Sequence, residues 1–597
     1  MIAMHLFLLL CCLCFMLMAL LVQQRLNFLK QFFKSSKLKT YESSSLIPPN
    51  PIVPQLPSVS IMHIYEKAAV CSDGPICSII GSEVLKVGGS AVDAAIAASI
   101  CQGLVGMQSM GIGGGLLMNV YIAEEKRSYS ITSREVAPLG ASESMLNNAS
   151  AEFHSSLSIG VPGEVMGYAV AYERFGKLRW KNIVAPTVEI CNAGFLVTEH
   201  LDFALEINKD KIMNDKQLRE VFVNPKTNEL LQIGEYLKPP DALCRTLEYI
   251  SNKGARSFYE GVLADDIIAD LKEFNSIITK KDLSSYKTDI TSSTTFPLGA
   301  HILHFMPPPA SGYIIGFVMK ILQNFQSDFA RKRKMDAILI HRVVEALKFG
   351  FVKRWQLDAD MSLELLSNLS SPVYTEKLAS LIDDIDTYND SQHYGADEEL
   401  IGRKERGTAH ISVVAPNGDA VSITSSINFY FGSGHCGNRT GIIFNNAMHD
   451  FNIEGIDNYF KLPNIPKKNR IKPGKSPMSS MSPLIVTTLN GEVRLVIGAA
   501  GGTKIISALV QILIRVLWFD ENIKEAIDAA RFHHQLIPNV LEYEYGILNQ
   551  FIQELEEKGH KTDRYREHGS AVCGVERFRN KVVANADYRK EGEIEGF

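Results

Sequence analysis

Apolar and polar positions group into short alternating runs and longer helical stretches. Two β-rich runs, 409–415 and 420–428, are separated by Pro416-Asn417-Gly418-Asp419. This predicts a hairpin over Gly407–Asn428 with an Asn-Gly turn signal. Pro483–Leu489 and Glu492–Gly498 flank Asn490-Gly491 and predict a second hairpin; Leu116–Ala123 and Ser128–Arg134 read as further strands. A capping box at Ser90 and Asp93 predicts an Ala-rich helix from Ala91 to about Gly103. Residues 335–395 read as mostly helical, and an Ile/Leu/Val-rich helix is expected from about Thr503 to Trp518. Hairpins and long apolar helices in both halves predict an α/β (α+β) chain with stacked sheets and helical layers outside.

The N-terminus breaks this pattern. Ile2–Val22 carries no formal charge, and His5 is its one polar side chain. About 20 apolar residues span a bilayer core as a helix. The run exceeds a usual signal-peptide core and no small-x-small site follows, so a retained transmembrane anchor over 2–22 is expected. Residues 23–60 read as a basic and then Pro-rich stalk of extended, unpacked chain, and the globular part begins near Ile61. The signals for orientation conflict. Arg25, Lys30, Lys34, Lys37 and Lys39 follow the apolar run, which argues for a cytoplasmic C-terminal side. Sequons at Asn148, Asn368, Asn389 and Asn438 argue for the lumen.

Composition excludes some partners. Across 597 residues, 61 basic and 66 acidic side chains leave a net charge of −5, which gives no electrostatic reason to expect nucleic acid. Ten cysteines are scattered without CxxC or Cys/His metal spacing, so zinc is not expected.

The candidate chemistry starts at Gly407-Thr408, at the head of the first hairpin. A cut there would leave a terminal threonine carrying both a hydroxyl nucleophile and its own base, the freed α-amine. Gly501-Gly502, between a strand and a helix, could form a backbone N–H nest for an oxyanion or simply allow close packing. Gly111-x-Gly113-Gly114-Gly115 lacks the Lys-Ser/Thr of a phosphate loop and reads as a tight turn. Ser479-Ser480 could donate to a carboxylate, Arg134 could clamp one, and Asn445, Asn446 and Asp450 form a polar group that Asx-turns would also explain.

Taken together, these segments resemble the γ-glutamyltranspeptidases from about Ala68 to the C-terminus. The resemblance is carried by Gly88–Ala98, Ser109–Gly115, Arg134–Pro138, Gly407–His410, Thr424–Gly432, Pro477–Pro483, Gly498–Thr503, Arg531–Pro538 and Asp587–Gly592. It implies an N-terminal-nucleophile hydrolase fold, a four-layer αββα sandwich of two stacked antiparallel sheets. It also implies a precursor that cleaves itself into residues 1–407 and 408–597, two chains associated without a covalent link. Thr408 would attack the γ-amide of glutathione or a related γ-glutamyl compound and pass the acyl group to water or to an acceptor amino acid or dipeptide, with no metal or organic cofactor. By the same resemblance Ser426 supports the nucleophile, and Gly501 and Gly502 form the oxyanion hole. Arg134, Ser479 and Ser480 would hold the α-carboxylate, and Asn428 and Asp450 the α-amine. Cys77 and Cys101 match a disulfide pair. An uncleaved N-terminal helix with the catalytic part outside, a single-pass type II arrangement at the cell membrane, is likewise implied.

The chain departs from the family pattern at three places. Ala447 stands where a glutamate is usual, His449 where an acid is usual, and Ser482 where a cysteine is common. A lost charge-assisted hydrogen bond costs about 1.5–3 kcal/mol, so weaker or altered donor use is expected. Two alternatives stay open at this point: an inactive paralogue serving as a surface binding or scaffold protein, and an amidase or acylase of similar fold acting on another acid.

Overall fold

The computed structural model describes residues 48–146, 155–361, 369, 371–396, 407–453, 468–565 and 569–597. The expected anchor, Asn148 and Asn368 lie outside them.

Two seven-stranded antiparallel sheets form the centre. The strands among the described residues used here are β1 (His63–Tyr65), β2 (Ala69–Ser72), β3 (Gly115–Ile122), β4 (Arg127–Ser133), β5 (Asp289–Ser292), β6 (Thr294–Leu298) and β7 (His301–Phe305). They continue with β8 (Ala409–Val414), β9 (Ala420–Ser426), β10 (Leu484–Thr488), β11 (Val493–Ala500), β12 (Ala571–Phe578), β13 (Lys581–Ala586) and β14 (Glu593–Gly596). One sheet runs β1-β13-β12-β11-β10-β7-β6 and the other β14-β2-β8-β9-β3-β4-β5.

The two predicted hairpins are β8–β9 and β10–β11. In the first, Ala409 pairs with Ser425 and Val414 with Ala420, and Gly418 takes φ +88° in the turn. Every residue of β8 and β9 is buried, and their two faces do different jobs. Ile411, Val413, Val421 and Ile423 join an apolar cluster with α1 (Cys77–Lys86), α2 (Ala91–Val105) and α3 (Glu164–Phe175). His410, Ser412 and Ser422 face the opposite sheet, where Ser412 Oγ donates to Cys573 O at 3.1 Å and Ser422 Oγ to Ile497 O at 2.9 Å. The far face of that sheet is covered by α4 (Gly312–Gln323), α5 (Ala337–Gln356) and α6 (Lys504–Leu517). The order is therefore helix, sheet, sheet, helix. The capping box opens α2 as read: Asp93 N–H donates to Ser90 Oγ at 3.0 Å, and Ser90 N–H to Asp93 Oδ2 at 2.9 Å.

Two expectations need correction. The stalk is not unpacked along its whole length: Asn549 N–H donates to Pro51 O at 2.8 Å, and Lys524 Nζ donates to Ser60 Oγ at 2.8 Å. The chain is extended there because its proline density disfavours regular structure, yet it has the polar backbone and hydroxyls to fasten itself down. The cysteines also pair beyond the one bond, Cys77–Cys101, that the resemblance implies. Cys77–Cys101 forms, and so do Cys191–Cys244 and Cys71–Cys573. The last joins a strand before the Gly407–Thr408 step to one after it, a link that the resemblance does not imply. Asn389 and Asn438 are exposed. Among the described residues, no helix is long and apolar enough to cross a membrane.

Candidate active site

Thr408 stands immediately before β8, at the end of a central strand flanked by β2 and β9. It is 6% exposed. Its Oγ donates to Gly407 O at 2.7 Å and lies 3.3 Å from Ser426 Oγ. Ser426 Oγ also donates to Gly407 O, at 2.6 Å, while accepting from Asn428 N–H at 2.8 Å. The backbone donor fixes the serine's lone pair, which turns its proton toward the carbonyl of the Gly407–Thr408 peptide. Gly407 has φ +101°, and a Cβ there would meet the Phe429 carbonyl carbon at 2.8 Å, so glycine is required.

Among the described residues, no charged side chain donates to or accepts from the Thr408 hydroxyl in this network. The nearby histidine, His410, is spoken for at both ring nitrogens by Thr424 Oγ1 (2.8 Å) and Ser412 Oγ (3.0 Å), and burial pulls it down to about 3. It is a neutral packing element between the sheets, where Gly498 leaves room for its ring.

Lys590 and Asp73, which no sequence pattern assigned to the site, hold the Thr408 backbone. Lys590 Nζ donates to Thr408 O at 2.5 Å and to Asp73 Oδ2 at 2.9 Å, and Asp73 Oδ2 also accepts from His410 N–H at 2.9 Å. Burial raises the Asp73 carboxyl, and the lysine beside it opposes that shift. Lys590 lies in Asp587–Gly592, one of the segments that carry the resemblance; no such pattern marks Asp73.

Gly501 (φ +122°) and Gly502 (φ +61°) turn the chain from β11 into α6. Gly407, Thr408 and Gly501 line one cavity of about 290 Å³ together with Tyr430, Lys504 and Lys590. The candidate nucleophile Thr408 and one of the two candidate oxyanion glycines therefore share a space open to a ligand.

Arg134 and Asp450 meet in a second, buried group. The Arg134 guanidinium bonds the Asp450 carboxylate and donates to Glu135 Oε2 at 2.6 Å. The two groups are joined by one stretch of chain, 445–450. At its start, Asn446 O accepts from Asn428 Nδ2 at 3.1 Å and Asn446 Oδ1 from Phe429 N–H at 3.1 Å. At its end, a short 3₁₀ turn over Ala447–Asp450 delivers the carboxylate. Asn469, missed in the sequence because nothing distinguishes it in a polar stretch, donates to Asp450 O at 2.7 Å and accepts from Met478 N–H at 3.0 Å. It thereby ties Asp450 to the loop bearing Ser479 and Ser480. Ser480 is fully buried and its Oγ has no hydrogen-bond partner among the described residues. Ala447 and His449 are both buried in the turn.

Glu164 lies behind the β8–β9 pair. It accepts from Ser425 Oγ and, at 2.7 Å, from Tyr168 Oη; burial lifts its carboxyl from 4.5 to about 7. Among the described residues, His341, Glu345 and His560 are close enough for a shared ion, but Lys348 Nζ lies 3.0 Å from Glu345 Oε1, so this cluster carries its own cation.

The family model described as gamma-glutamyltranspeptidase matches residues 77–597. Scoloptoxin SSD14 of Scolopendra dehaani is 40% identical over 553 residues, covering 90% of this chain and 94% of its own. Glutathione hydrolase 5 proenzyme of Mus musculus is 33% identical over 544 residues, covering 89% and 93%. The crystal structure of cephalosporin acylase from Bacillus halodurans superposes with a TM-score of 0.77 at 21% identity, covering 92% of this chain and 99% of that one, a likeness of fold.

Proposed function

The chain belongs to the γ-glutamyltranspeptidase family, and we propose that it is a γ-glutamyltransferase and glutathione hydrolase that activates itself by cutting Gly407–Thr408. The observation that carries this is the Thr408 hydroxyl, 2.7 Å from the carbonyl oxygen of the preceding peptide, with Ser426 donating to the same oxygen. Attack of Oγ on the Gly407 carbonyl carbon places negative charge on an oxygen that Ser426 already contacts. Transfer of the acyl group from N to O frees the α-amine, and water then releases Gly407 as a carboxylate. The name "proenzyme" on the mouse relative supports this maturation.

In turnover the α-amine takes the Thr408 hydroxyl proton as Oγ attacks the γ-carbonyl of the donor. Gly501 and Gly502 N–H groups stabilise the oxyanion, and the proton passes to the departing amine. The γ-glutamyl ester on Thr408 is then resolved by water or by the amine of an acceptor amino acid or dipeptide. An α-amino acid end carries one cation and one anion, which suits Arg134 and Asp450: the carboxylate goes to Arg134, Ser479 and Ser480, the ammonium to Asp450 and Asn428. Ala447 and His449 modify donor affinity, while Thr408, Ser426 and the glycines keep the reaction centre complete, so a purely binding role is not favoured.

We place the catalytic part outside the cell behind an anchor at 2–22. Three disulfides and the exposed sequons Asn389 and Asn438 support that side.

The test compares wild type with Thr408→Ala. Wild type is expected to yield a chain beginning at Thr408 by mass spectrometry and to release cysteinylglycine and glutamate from glutathione. The variant is expected to stay uncut and inactive, and equal activity in the two would reject the assignment.

A further inference from the structure

We infer that the two chains produced at Gly407–Thr408 remain covalently joined through Cys71–Cys573, and that this bond fixes the strand leading to Asp73 beside the nucleophile. The inference rests on the cleavage proposed above. Cys71 belongs to β2, ahead of the cut, and Cys573 to β12, beyond it. Their Cα atoms are 5.9 Å apart and both residues are fully buried, within the span a disulfide bridges.

The bridge crosses from one sheet to the other, and backbone pairing on both sides brings the sulfurs together. Cys71 pairs with Ser412 of β8. Cys573 pairs with Gly498 of β11 and Ala586 of β13. Neither residue is on a loop that could swing away. The surrounding layer is apolar, with Ala69, Tyr121, Val414, Val496 and Val575 in the same cluster. Asp73 follows Cys71 by two residues and holds both Lys590 and the His410 N–H. The bond thus pins the larger chain where it grips the first residues of the smaller one. Cys77–Cys101 and Cys191–Cys244 lie wholly within the larger chain and cannot hold the two together.

Closing the bond removes two protons and two electrons from the paired thiols. Exchange with an oxidised dithiol of an oxidising compartment accounts for them, since that partner's own disulfide is reduced.

The full-length protein is alkylated to block exchange and run on denaturing gels with and without reductant. One species without reductant and two with it are expected, together with a linked Cys71–Cys573 peptide pair in a non-reduced digest. The C71A/C573A double variant should give two bands in both lanes yet stay associated under native conditions, because β8 and β9 are hydrogen-bonded between β2 and β3. Its thermal midpoint should depend on protein concentration while that of wild type does not. Two wild-type bands without reductant, with both thiols alkylated, would overturn this inference and leave the proposed reaction standing. A chain uncut in both lanes would overturn both. If the double variant fails to fold, the wild-type gels and digest decide alone.

Discussion

Two buried ionic clusters in this molecule are finished differently. Under the outer helices, Lys348 Nζ donates to Glu345 Oε1 at 3.0 Å and to Tyr394 Oη at 3.2 Å. Tyr394 Oη in turn donates to Glu345 Oε2 at 2.7 Å, and Thr387 Oγ1 to Glu345 Oε1 at 2.6 Å. Both carboxylate oxygens and the ammonium are satisfied within the protein. At the candidate site, Arg134 is shared between Glu135 and Asp450, while Glu135 Oε1 and, in the adjoining loop, Ser480 Oγ are buried with no hydrogen-bond partner among the described residues. Buried polar atoms are nearly always satisfied. A closed cluster sets a structure, whereas an open one with an exchangeable ion pair suits a ligand that brings the missing partners.

The sharpest way to break this contrast is Arg134→Gln. It leaves two buried carboxylates without their cation, which costs about 3–5 kcal/mol of stability. It should also lower kcat/KM for glutathione by roughly 100-fold, as a lost charge-assisted contact does. Steady-state kinetics beside a urea titration would show both. Lys348→Met is the control from the closed cluster. It should cost a similar ~3–5 kcal/mol with KM unchanged, and a raised KM would mean that the two clusters are not functionally separate.

Glu164 sharpens the comparison through pH. Burial raises its carboxyl to about 7, so the folded protein keeps a proton that the unfolded chain gives up near 4.5. The folded state binds more protons in that interval, and stability is therefore fullest below pH 4.5 and falls as pH rises through 7. The swing is roughly 3 kcal/mol. Glu164→Gln should flatten it, as measured by denaturation midpoints at pH 5 and pH 8; an undiminished fall would locate the titration elsewhere. The smallest effect concerns Ala447→Glu, which should lower the donor KM about 10-fold by restoring one charged contact. No change would mean that Asp450 or a neighbour already fills that role.

Much of this was legible along the chain because it is local. The β8–β9 hairpin, the capping box of α2 and the glycine turn into α6 each rest on residues a few positions apart. Gly407–Thr408 stood out because its place at the head of a hairpin is itself a local pattern. What escaped is long-range. Asp73 and Lys590 are 517 positions apart, and Cys71 and Cys573 are 502 apart. No periodicity marks such partners, because strand order in the two sheets decides who meets whom. Arg134 and Asp450 were expected to serve opposite ends of a ligand, and their direct pairing is visible only when 445–450 folds back between them.

Gly407 has a last consequence. Its carbonyl accepts from both Thr408 Oγ and Ser426 Oγ, the two hydroxyls that a donor's acyl group would need under the proposed mechanism, so the uncut chain would be plugged by its own main chain. On the proposed mechanism latency would require no separate inhibitory segment: the first acyl group handled by Thr408 would be the protein's own, and the slot would become vacant only once that one had been discharged.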